Sequence, residues 1–237
     1  SPRLGATSRV RDVAPTEALV KPVLVHPSTQ TAPAIDGRRV VWQDERSGPA
    51  DIYLADLDTG AIRNLTNSYQ WEAIPDISGN YVVWLDGYMG MGIHGVDIST
   101  GTMFTVTVGH RDMSRPSIGG SIVVWADNRA GDDDWNIYGY DIARRQEFVI
   151  DQSPGRQHDP KIDGKYVVWW DYKEWVYLYD LTTGKTKAIH DTWGARLPVV
   201  SEDDDLAVWM EYVDGKWDLA SYQISTGTTS MIVAIEG

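Results

Sequence analysis

Five of the eleven tryptophans in the chain fall at one position of a repeated pattern. The letters VVW end at Trp42, Trp84, Trp125 and Trp169, and the letters AVW end at Trp209. Successive tryptophans are 42, 41, 44 and 40 residues apart. A recurrence of roughly 20 to 50 residues is typical of folds built from repeated structural units. Five similar units are therefore the strongest constraint on what this chain can fold into.

Each unit has the pattern of four short antiparallel strands. A strand is expected after a proline, a turn such as Asp36-Gly37 follows it, and VVW forms the second strand. A polar loop leads to a third strand, as in the run DIYLADL from Asp51, and a Thr-Gly turn at Gly60 leads to the fourth. No segment carries the apolar stripe of an amphipathic helix. The sequence therefore predicts an all-β chain.

The VVW strand carries apolar side chains on both of its faces. Val40 and Trp42 point to one face and Val41 points to the other. A sheet that is apolar on both sides needs a cover on both sides, as when sheets pack face to face around an axis. We therefore predict a five-bladed β-propeller of four-stranded antiparallel blades. The tryptophans expected to fill the spaces between blades are Trp42, Trp84, Trp125, Trp169 and Trp209.

The predicted organisation is a short N-terminal segment followed by one propeller domain over residues 17–237. Residues 1–16 are polar with Pro, Gly and Arg and are expected to be flexible. Residues 17–32 are expected to supply a strand that closes the ring. Repeat boundaries fall at about 33–74, 75–115, 116–159, 160–197 and 198–237. The run 228–235 also has the pattern of a fourth strand for the last blade, so the choice between the two terminal strands stays open.

Charge and composition exclude several classes of partner. The formal net charge is -13 and the isoelectric point is about 4.7, whereas nucleic acids and anionic membranes bind basic surfaces. No stretch approaches the ~18 apolar residues of a spanning helix. The chain has no cysteine, which removes disulfides and thiolate chemistry. We expect no nucleic-acid partner and no membrane insertion.

Loop length distinguishes the two ends of the predicted propeller. The loops after the second and fourth strands emerge at the same end of a blade and hold nearly all of the length variation, and we call this end the long-loop face. Aromatic, amide and guanidinium groups there suit a sugar or a peptide, although ordinary exposed loop residues are the alternative interpretation. The residues assigned to a candidate ligand site are Gln30, Gln70, Trp71, Arg111, Arg115, Gln157, His158, Trp193 and Arg196.

An acidic residue follows each repeated tryptophan by two positions. These residues are Asp44, Asp86, Asp127, Asp171 and Glu211. They could form a cation site or supply the acids of a glycosidase. Because an acid recurs in every unit, we predict instead a structural role, in which each accepts hydrogen bonds from backbone amides of the adjacent loop. Acidic triplets at 132–134 and 203–205 lack EF-hand spacing, so calcium is a weaker alternative and no cofactor is predicted.

The run from Ile35 to Thr66, with its D-G turn, apolar strand, DIY and D-x-x-T-G, resembles the repeat of TolB-like β-propellers. The likeness covers about residues 33–237 and departs most clearly at Arg144-Arg145, which replace Thr-Gly in the third repeat. The pattern VVW-x-D is also similar to propeller repeats of prokaryotic cell-surface proteins. The resemblance implies the fold. For function it implies envelope interaction modules, surface domains or gating domains of serine peptidases, and it transfers no functional residue.

Three functional hypotheses follow. The first is a non-enzymatic binding module, exported or at the cell surface, that binds a protein or a glycan on the long-loop face as a monomeric domain. The second is a five-bladed glycosidase, whose catalytic acids should be present in one or two blades only. The third is a substrate-gating domain of a larger protein. The absence of a recognisable catalytic motif favours the first. A periplasmic, cell-surface or secreted location goes with it.

Overall fold

The structure, a computed structural model, describes residues 26–87, 92–109 and 112–232. Over these residues the chain forms 20 strands and no helix. The strands make five four-stranded antiparallel sheets, each built from four consecutive strands. This confirms the predicted all-β fold of five four-stranded blades.

The strands follow one another in chain order within every sheet. The first sheet contains β1 (Gln30–Asp36), β2 (Arg39–Asp44), β3 (Asp51–Asp56) and β4 (Ile62–Asn64). The second contains β5 (Glu72–Ser78), β6 (Tyr81–Asp86), β7 (Gly92–Asp97) and β8 (Thr102–Val108). The third contains β9 (Ser117–Gly119), β10 (Ile122–Gly131), β11 (Asp134–Asp141) and β12 (Gln146–Asp151). The fourth contains β13 (Gln157–Asp163), β14 (Tyr166–Asp171), β15 (Val176–Asp180) and β16 (Lys185–His190). The fifth contains β17 (Ala195–Ser201), β18 (Leu206–Val213), β19 (Lys216–Gln223) and β20 (Thr228–Ile232).

The first strands of four sheets run through a proline instead of starting after it. The four prolines are Pro33, Pro75, Pro160 and Pro198. At each of them the pairing with the second strand shifts register. Proline cannot donate to a strand ladder, and a bulge accommodates it without ending the strand. A strand that begins after its proline, as expected from the sequence, occurs only in the third sheet, where β9 follows Pro116.

Two tight turns recur at the end opposite the long loops. Gly37 has φ 55° between the first two strands, and Gly60 has φ 72° between the last two. These left-handed conformations favour glycine and explain the recurring Asp-Gly and Thr-Gly pairs. In the third sheet, Arg145 takes the left-handed conformation, with φ 54°, where the other repeats have glycine. The recurring Thr-Gly pattern therefore meets the conformational requirement of this turn.

Four of the five repeated tryptophans lie between consecutive sheets. Each is at most 5% exposed and shares a hydrophobic cluster with the VVW or AVW valine of the preceding sheet. The pairs are Trp84 with Val41, Trp125 with Val83, Trp169 with Val124 and Trp209 with Val168. Packing therefore runs in chain order from the first sheet to the fifth.

The first and fifth sheets are the first and last members of this series of packed sheets. Trp42 is 5% exposed and clusters with Val40, Tyr53 and Ala55 of its own sheet. No cluster of described residues joins the first sheet to the fifth. Strand β20 is the fourth strand of the fifth sheet, so the C-terminal run completes that sheet. Of the predicted closing strand, residues 30–32 belong to β1. Residues 17–25 of that strand, and the segment 1–16, lie outside the described residues.

Candidate functional site

Three of the predicted ligand residues, His158, Trp193 and Arg196, lie in one group of aromatic and charged side chains on the fourth and fifth sheets. The group also contains three residues that the sequence did not single out. We call the set the aromatic cluster, and its members are His158, Trp170, Trp193, Arg196, Tyr212 and Trp217. All six lie near the start of a first or third strand or the end of a second strand. These positions belong to the long-loop face.

Strand register positions the fourth-sheet half of the cluster. His158 and Trp170 are directly opposite each other in the β13–β14 pair, and their rings stack at 4.5 Å with an interplanar angle of 29°. The guanidinium of Arg196 lies 5.6 Å from the Trp170 ring centroid. Burial lowers the pKa of His158, so its ring is neutral at pH 7. A neutral imidazole therefore stacks on an indole beside a cation.

A tight hairpin positions the fifth-sheet half. Asp214 and Gly215 have φ 50° and 84°, the conformation of a two-residue turn of type I′, and they join β18 to β19. This turn places Tyr212 directly opposite Trp217, with ring centroids 5.2 Å apart. The Arg196 guanidinium lies 5.4 Å from the Trp217 ring. One arginine therefore contacts an indole on each of two sheets.

The loop before β17 carries the most exposed member of the cluster. Trp193 is 67% exposed and meets Tyr212 edge-on at 6.3 Å. The amide of Tyr212 donates to the carbonyl of Gly194 at 2.9 Å, which fixes this loop against the hairpin. Trp217 and Tyr212 are 41% and 39% exposed. Three large aromatic side chains in contact are thus open to solvent on one surface.

A buried carboxylate holds the arginine in place. Glu174 is 6% exposed, and its Oε1 accepts from Nε of Arg196 at 2.8 Å and also from Nη2. Oε2 of Glu174 and Nε1 of Trp170 are both buried, and neither has a hydrogen-bond partner among the described residues. Ordering Arg196 in this way limits the side-chain entropy that a ligand contact would cost. The site therefore combines a fixed cation with apolar stacking surfaces.

The other predicted ligand residues do not join the cluster. Gln30 donates to Ser28 beside its own strand. Gln157 is 2% exposed and donates to the carbonyl of Ser153 at 3.0 Å, so it lies inside the protein. The exposed residues Gln70 and Arg115 lie in the loops before the second and third sheets.

Trp71 is the predicted aromatic ligand residue that lies elsewhere. It is 40% exposed, and its carbonyl accepts from the amide of Gly87 at 2.9 Å, next to the second sheet. No ring contact within the described part of the chain joins it to the cluster. Arg111 lies outside the described residues.

The three other cluster members lie in second and third strands, whereas the predicted ligand residues come from the loops that follow a fourth strand. The sequence nevertheless contained two signals. Trp170 is the second tryptophan of VVWWD, and the other repeats have Gln43, Leu85, Ala126 and Met210 at this position. Tyr212 and Trp217 flank an Asp-Gly pair symmetrically, which is the pattern of aromatic residues paired across a hairpin.

Four of the five acids that follow the repeated tryptophans are buried and make internal hydrogen bonds. Asp127 accepts from Nε1 of Trp125 at 2.8 Å and from the amide of Arg129 at 3.1 Å. Asp44 has the same pair of contacts with Trp42 and Arg46. Burial opposes ionisation of Asp44, but hydrogen bonds from Arg46 and Trp42 lower its pKa to about 2.

The acids at this position of the fourth and fifth sheets also accept hydrogen bonds from within the protein. Asp171 accepts from the amides of Lys173 and Trp175 at 2.9 and 3.1 Å. Glu211 accepts from Nε1 of Trp209 at 2.6 Å. These carboxylates hold the loop after the second strand, or the indole, in place.

The second sheet departs from this arrangement. Asp86 lies 3.4 Å from Nε2 of His94, and both line a cavity of about 260 Å³ together with Glu72. Burial, with the nearby charges of Asp51 and Asp86, raises the pKa of Glu72 to about 7. Glu72 accepts from Thr66 at 3.3 Å and from Ser68. The described residues include no group of three or more His, Cys, Asp or Glu placed to hold a metal ion.

Comparison with known proteins supports the fold and extends no further. No protein-family model and no curated protein matches the chain. Among solved structures, TolB from Acinetobacter baumannii is similar with a TM-score of 0.63 and 18% identity, over 87% of this chain and 55% of that one. Oligogalacturonate lyase from Vibrio parahaemolyticus has a TM-score of 0.67 and 13% identity, over 85% and 63%. A chain of the nidogen/laminin complex has a TM-score of 0.57 and 12% identity, over 85% and 78%.

These likenesses confirm, at the level of fold, the resemblance to TolB-like propellers. The chain spans 55% of the TolB chain and 63% of the lyase chain. The proteins that share the fold carry unrelated names, so the fold does not select a function and the site has to. No helix among the described residues is long and apolar enough to cross a membrane.

Proposed function

We propose that the protein is a non-enzymatic binding module that takes a saccharide at the aromatic cluster. One observation carries the proposal: Tyr212 contacts both Trp193 and Trp217, and the three side chains are 39% to 67% exposed. Exposing such large apolar rings to water is unfavourable, and grouped exposed rings mark interaction sites. The C–H faces of a pyranose ring stack on aromatic faces, which gives this surface a matching ligand.

The polar groups of the cluster favour a saccharide over a purely apolar ligand. Arg196 presents N–H donors between two indoles and is held by Glu174. Small-molecule sites combine apolar surface with a few fixed polar groups in this way. Sugar hydroxyls accept as well as donate hydrogen bonds, so they can accept from the N–H groups of Arg196 that Glu174 leaves free. An exported location, and a protein ligand in place of a saccharide, stay predictions of the sequence.

The experiment compares two tryptophans of equal exposure. A glycan array with the full chain identifies the ligand, and calorimetric titration then measures Kd for the wild type, Trp217→Ala and Trp71→Ala. Trp217 and Trp71 are 41% and 40% exposed, so the second variant controls for the loss of an exposed indole. We expect Trp217→Ala to weaken binding by about tenfold or more, about 1.4 kcal/mol, and Trp71→Ala to leave it unchanged.

Two results would contradict the proposal. One is that calorimetric titration reproduces none of the hits on the glycan array. The other is binding that is lost in Trp71→Ala and kept in Trp217→Ala. Unchanged thermal unfolding of both variants would show that the effect arises at the site and not from misfolding.

A further inference from the structure

In two of the five sheets, the acid that follows the repeated tryptophan binds an arginine of its own sheet. Nε of Arg46 donates to Oδ1 of Asp44 at 3.0 Å, and Nη2 donates to Oδ2 at 2.6 Å. The Arg129–Asp127 pair repeats this geometry, with distances of 2.9 and 2.6 Å. In each pair the guanidinium also lies over a tyrosine ring of the third strand, 4.4 and 3.7 Å from the ring centroid. The first and third sheets therefore each hold a guanidinium between a carboxylate and an aromatic ring.

The second sheet has the carboxylate of this arrangement without an arginine. Asp86 is the counterpart of Asp44 and Asp127. The residue two positions later is Tyr88, which lies outside the described residues and carries no guanidinium. Oδ1 of Asp86 is buried and has no hydrogen-bond partner among the described residues. In the first and third sheets, both oxygens of the equivalent carboxylate accept from arginine.

The fourth and fifth sheets satisfy the same carboxylate from within the protein. Oδ1 of Asp171 accepts from two loop amides, and Oδ2 accepts from the Tyr177 hydroxyl at 3.1 Å. Oε2 of Glu211 accepts from an indole, and Oε1 lies 3.3 Å from Nε2 of His190. Of the five carboxylates, Asp86 is therefore the one with a buried oxygen to which no described residue donates.

The cavity of about 260 Å³ beside Asp86 lies where the first and third sheets hold their arginine. His94 lines it and stands opposite the repeated tryptophan, where those sheets have the tyrosine under the guanidinium. Met103 lines it at the place where Glu147 accepts from Arg129 in the third sheet. The carboxylate, the ring and the fourth-strand neighbour of a bound guanidinium thus all have counterparts in the wall of the cavity.

Negative charge around the cavity also favours a cation. Glu72 lines the cavity and stands opposite Asp86 in the β5–β6 pair. Burial, with the charges of Asp51 and Asp86, raises the pKa of Glu72 to about 7. A cation in the cavity would offset the repulsion among these carboxylates.

We propose that this cavity is a second ligand site, on a different sheet from the aromatic cluster, and that it binds the guanidinium group of an arginine side chain or of a small guanidinium compound. The ligand takes the place that Arg46 and Arg129 take in their own sheets, donating to Asp86 and stacking on His94. Bidentate pairing and stacking on a ring distinguish guanidinium from ammonium. The cavity is smaller than the roughly 300 Å³ at the lower end for drug-sized ligands, so it suits a single head group.

Calorimetric titration of the full chain with four probes tests the proposal. The probes are agmatine, a blocked tripeptide with arginine between two glycines, and the same tripeptide with lysine or citrulline in place of arginine. Citrulline has the shape of arginine without its charge. We expect the arginine peptide to bind about tenfold or more tightly than the lysine and citrulline peptides, because only guanidinium makes the charged bidentate contact. Agmatine that binds as tightly as the arginine peptide indicates a small-molecule ligand, and weaker binding of agmatine indicates an arginine side chain.

Asp86→Asn tests whether the binding arises in the cavity. The variant keeps the size of the side chain and removes its charge, so binding of the arginine peptide should weaken about tenfold or more. Asp58→Asn is the control, because Asp58 is an exposed acid paired with Arg38 and does not line the cavity.

Three outcomes would overturn the proposal. They are no binding of either guanidinium probe, equal affinity for the arginine and citrulline peptides, and an equal effect of Asp86→Asn and Asp58→Asn. The comparison of arginine with citrulline uses the wild-type chain alone, so it decides the question even if Asp86→Asn does not fold.

Discussion

At the scale of single residues, Glu72 departs furthest from the repeat. It stands opposite Asp86 in the β5–β6 pair, at the position where the first and fourth sheets have Gln30 and Gln157. Its carboxyl is almost fully buried beside Asp51 and Asp86, which disfavours a second or third negative charge. Glu72 is present in one blade only, as the glycosidase hypothesis requires of a catalytic acid.

The raised pKa of Glu72 predicts a pH dependence of stability. The pKa rises from 4.5 to about 7 on folding, so the folded state binds the proton more tightly than the unfolded state. The contribution to the free energy of unfolding is therefore complete below pH 4.5 and is lost as the pH rises to about 7. A shift of this size corresponds to roughly 3 kcal/mol.

Denaturant unfolding of the wild type and Glu72→Gln at several pH values measures this effect. The amide keeps the hydrogen-bonding shape without the titration, so the variant should lose much less stability than the wild type between pH 4.5 and 7. Parallel stability curves for the two proteins would show that Glu72 titrates alike in both states.

At the scale of strands, the chain uses both of its phenylalanines in the same way. Phe148 on β12 lies opposite Gly139 on β11, and Phe104 on β8 lies opposite Gly95 on β7. A Cβ atom built on Gly139 would lie 2.4 Å from the Phe148 ring. The glycine thus leaves the space that the ring fills, and the ring covers backbone that the glycine exposes.

Gly139→Ala should therefore destabilise the protein by about 1 to 3 kcal/mol through overpacking. In a Phe148→Leu background the cost of the same change should fall, since a flexible side chain can move aside. Gly131→Ala is the control, because its Cβ would meet only Asp134, at 3.9 Å. Denaturant unfolding of the four variants and the wild type gives the coupling energy. Additive effects of the two substitutions would contradict this explanation.

The strand pattern was predictable from sequence because it depends on local rules applied five times. The strands of each sheet can be predicted from the apolar VVW run, the Asp-Gly and Thr-Gly turns and the period of the repeat. Contacts between sheets are not needed for this prediction. The continuation of β1 through Pro33 was not predictable, because a bulge that tolerates proline has no separate sequence signal. The exposure of a side chain on the first or fifth sheet depends on which sheets meet. Ile35 of the first sheet is exposed, whereas Ile77, at the same position of the second sheet, is buried.

At the scale of the whole molecule, the candidate site is a product of the arrangement of sheets. Arg196 belongs to the fifth sheet, yet it contacts Trp170 of the fourth. The sequence placed His158, Trp193 and Arg196 on the long-loop face but could not relate them to Trp170 and Trp217. Packing of the buried tryptophans sets the distances between sheets. These distances cannot be predicted from the period of the sequence repeat.

A nitrogen–proton NMR spectrum of the tryptophan indoles, recorded during titration with the saccharide, tests whether the saccharide binds at the aromatic cluster. The chain has eleven tryptophans, and single Trp→Phe variants assign their indole signals. We expect saturating saccharide to shift the signals of Trp170, Trp193 and Trp217 and to leave that of Trp71 in place. Shifts at Trp71 with an unchanged Trp217 signal would contradict this expectation.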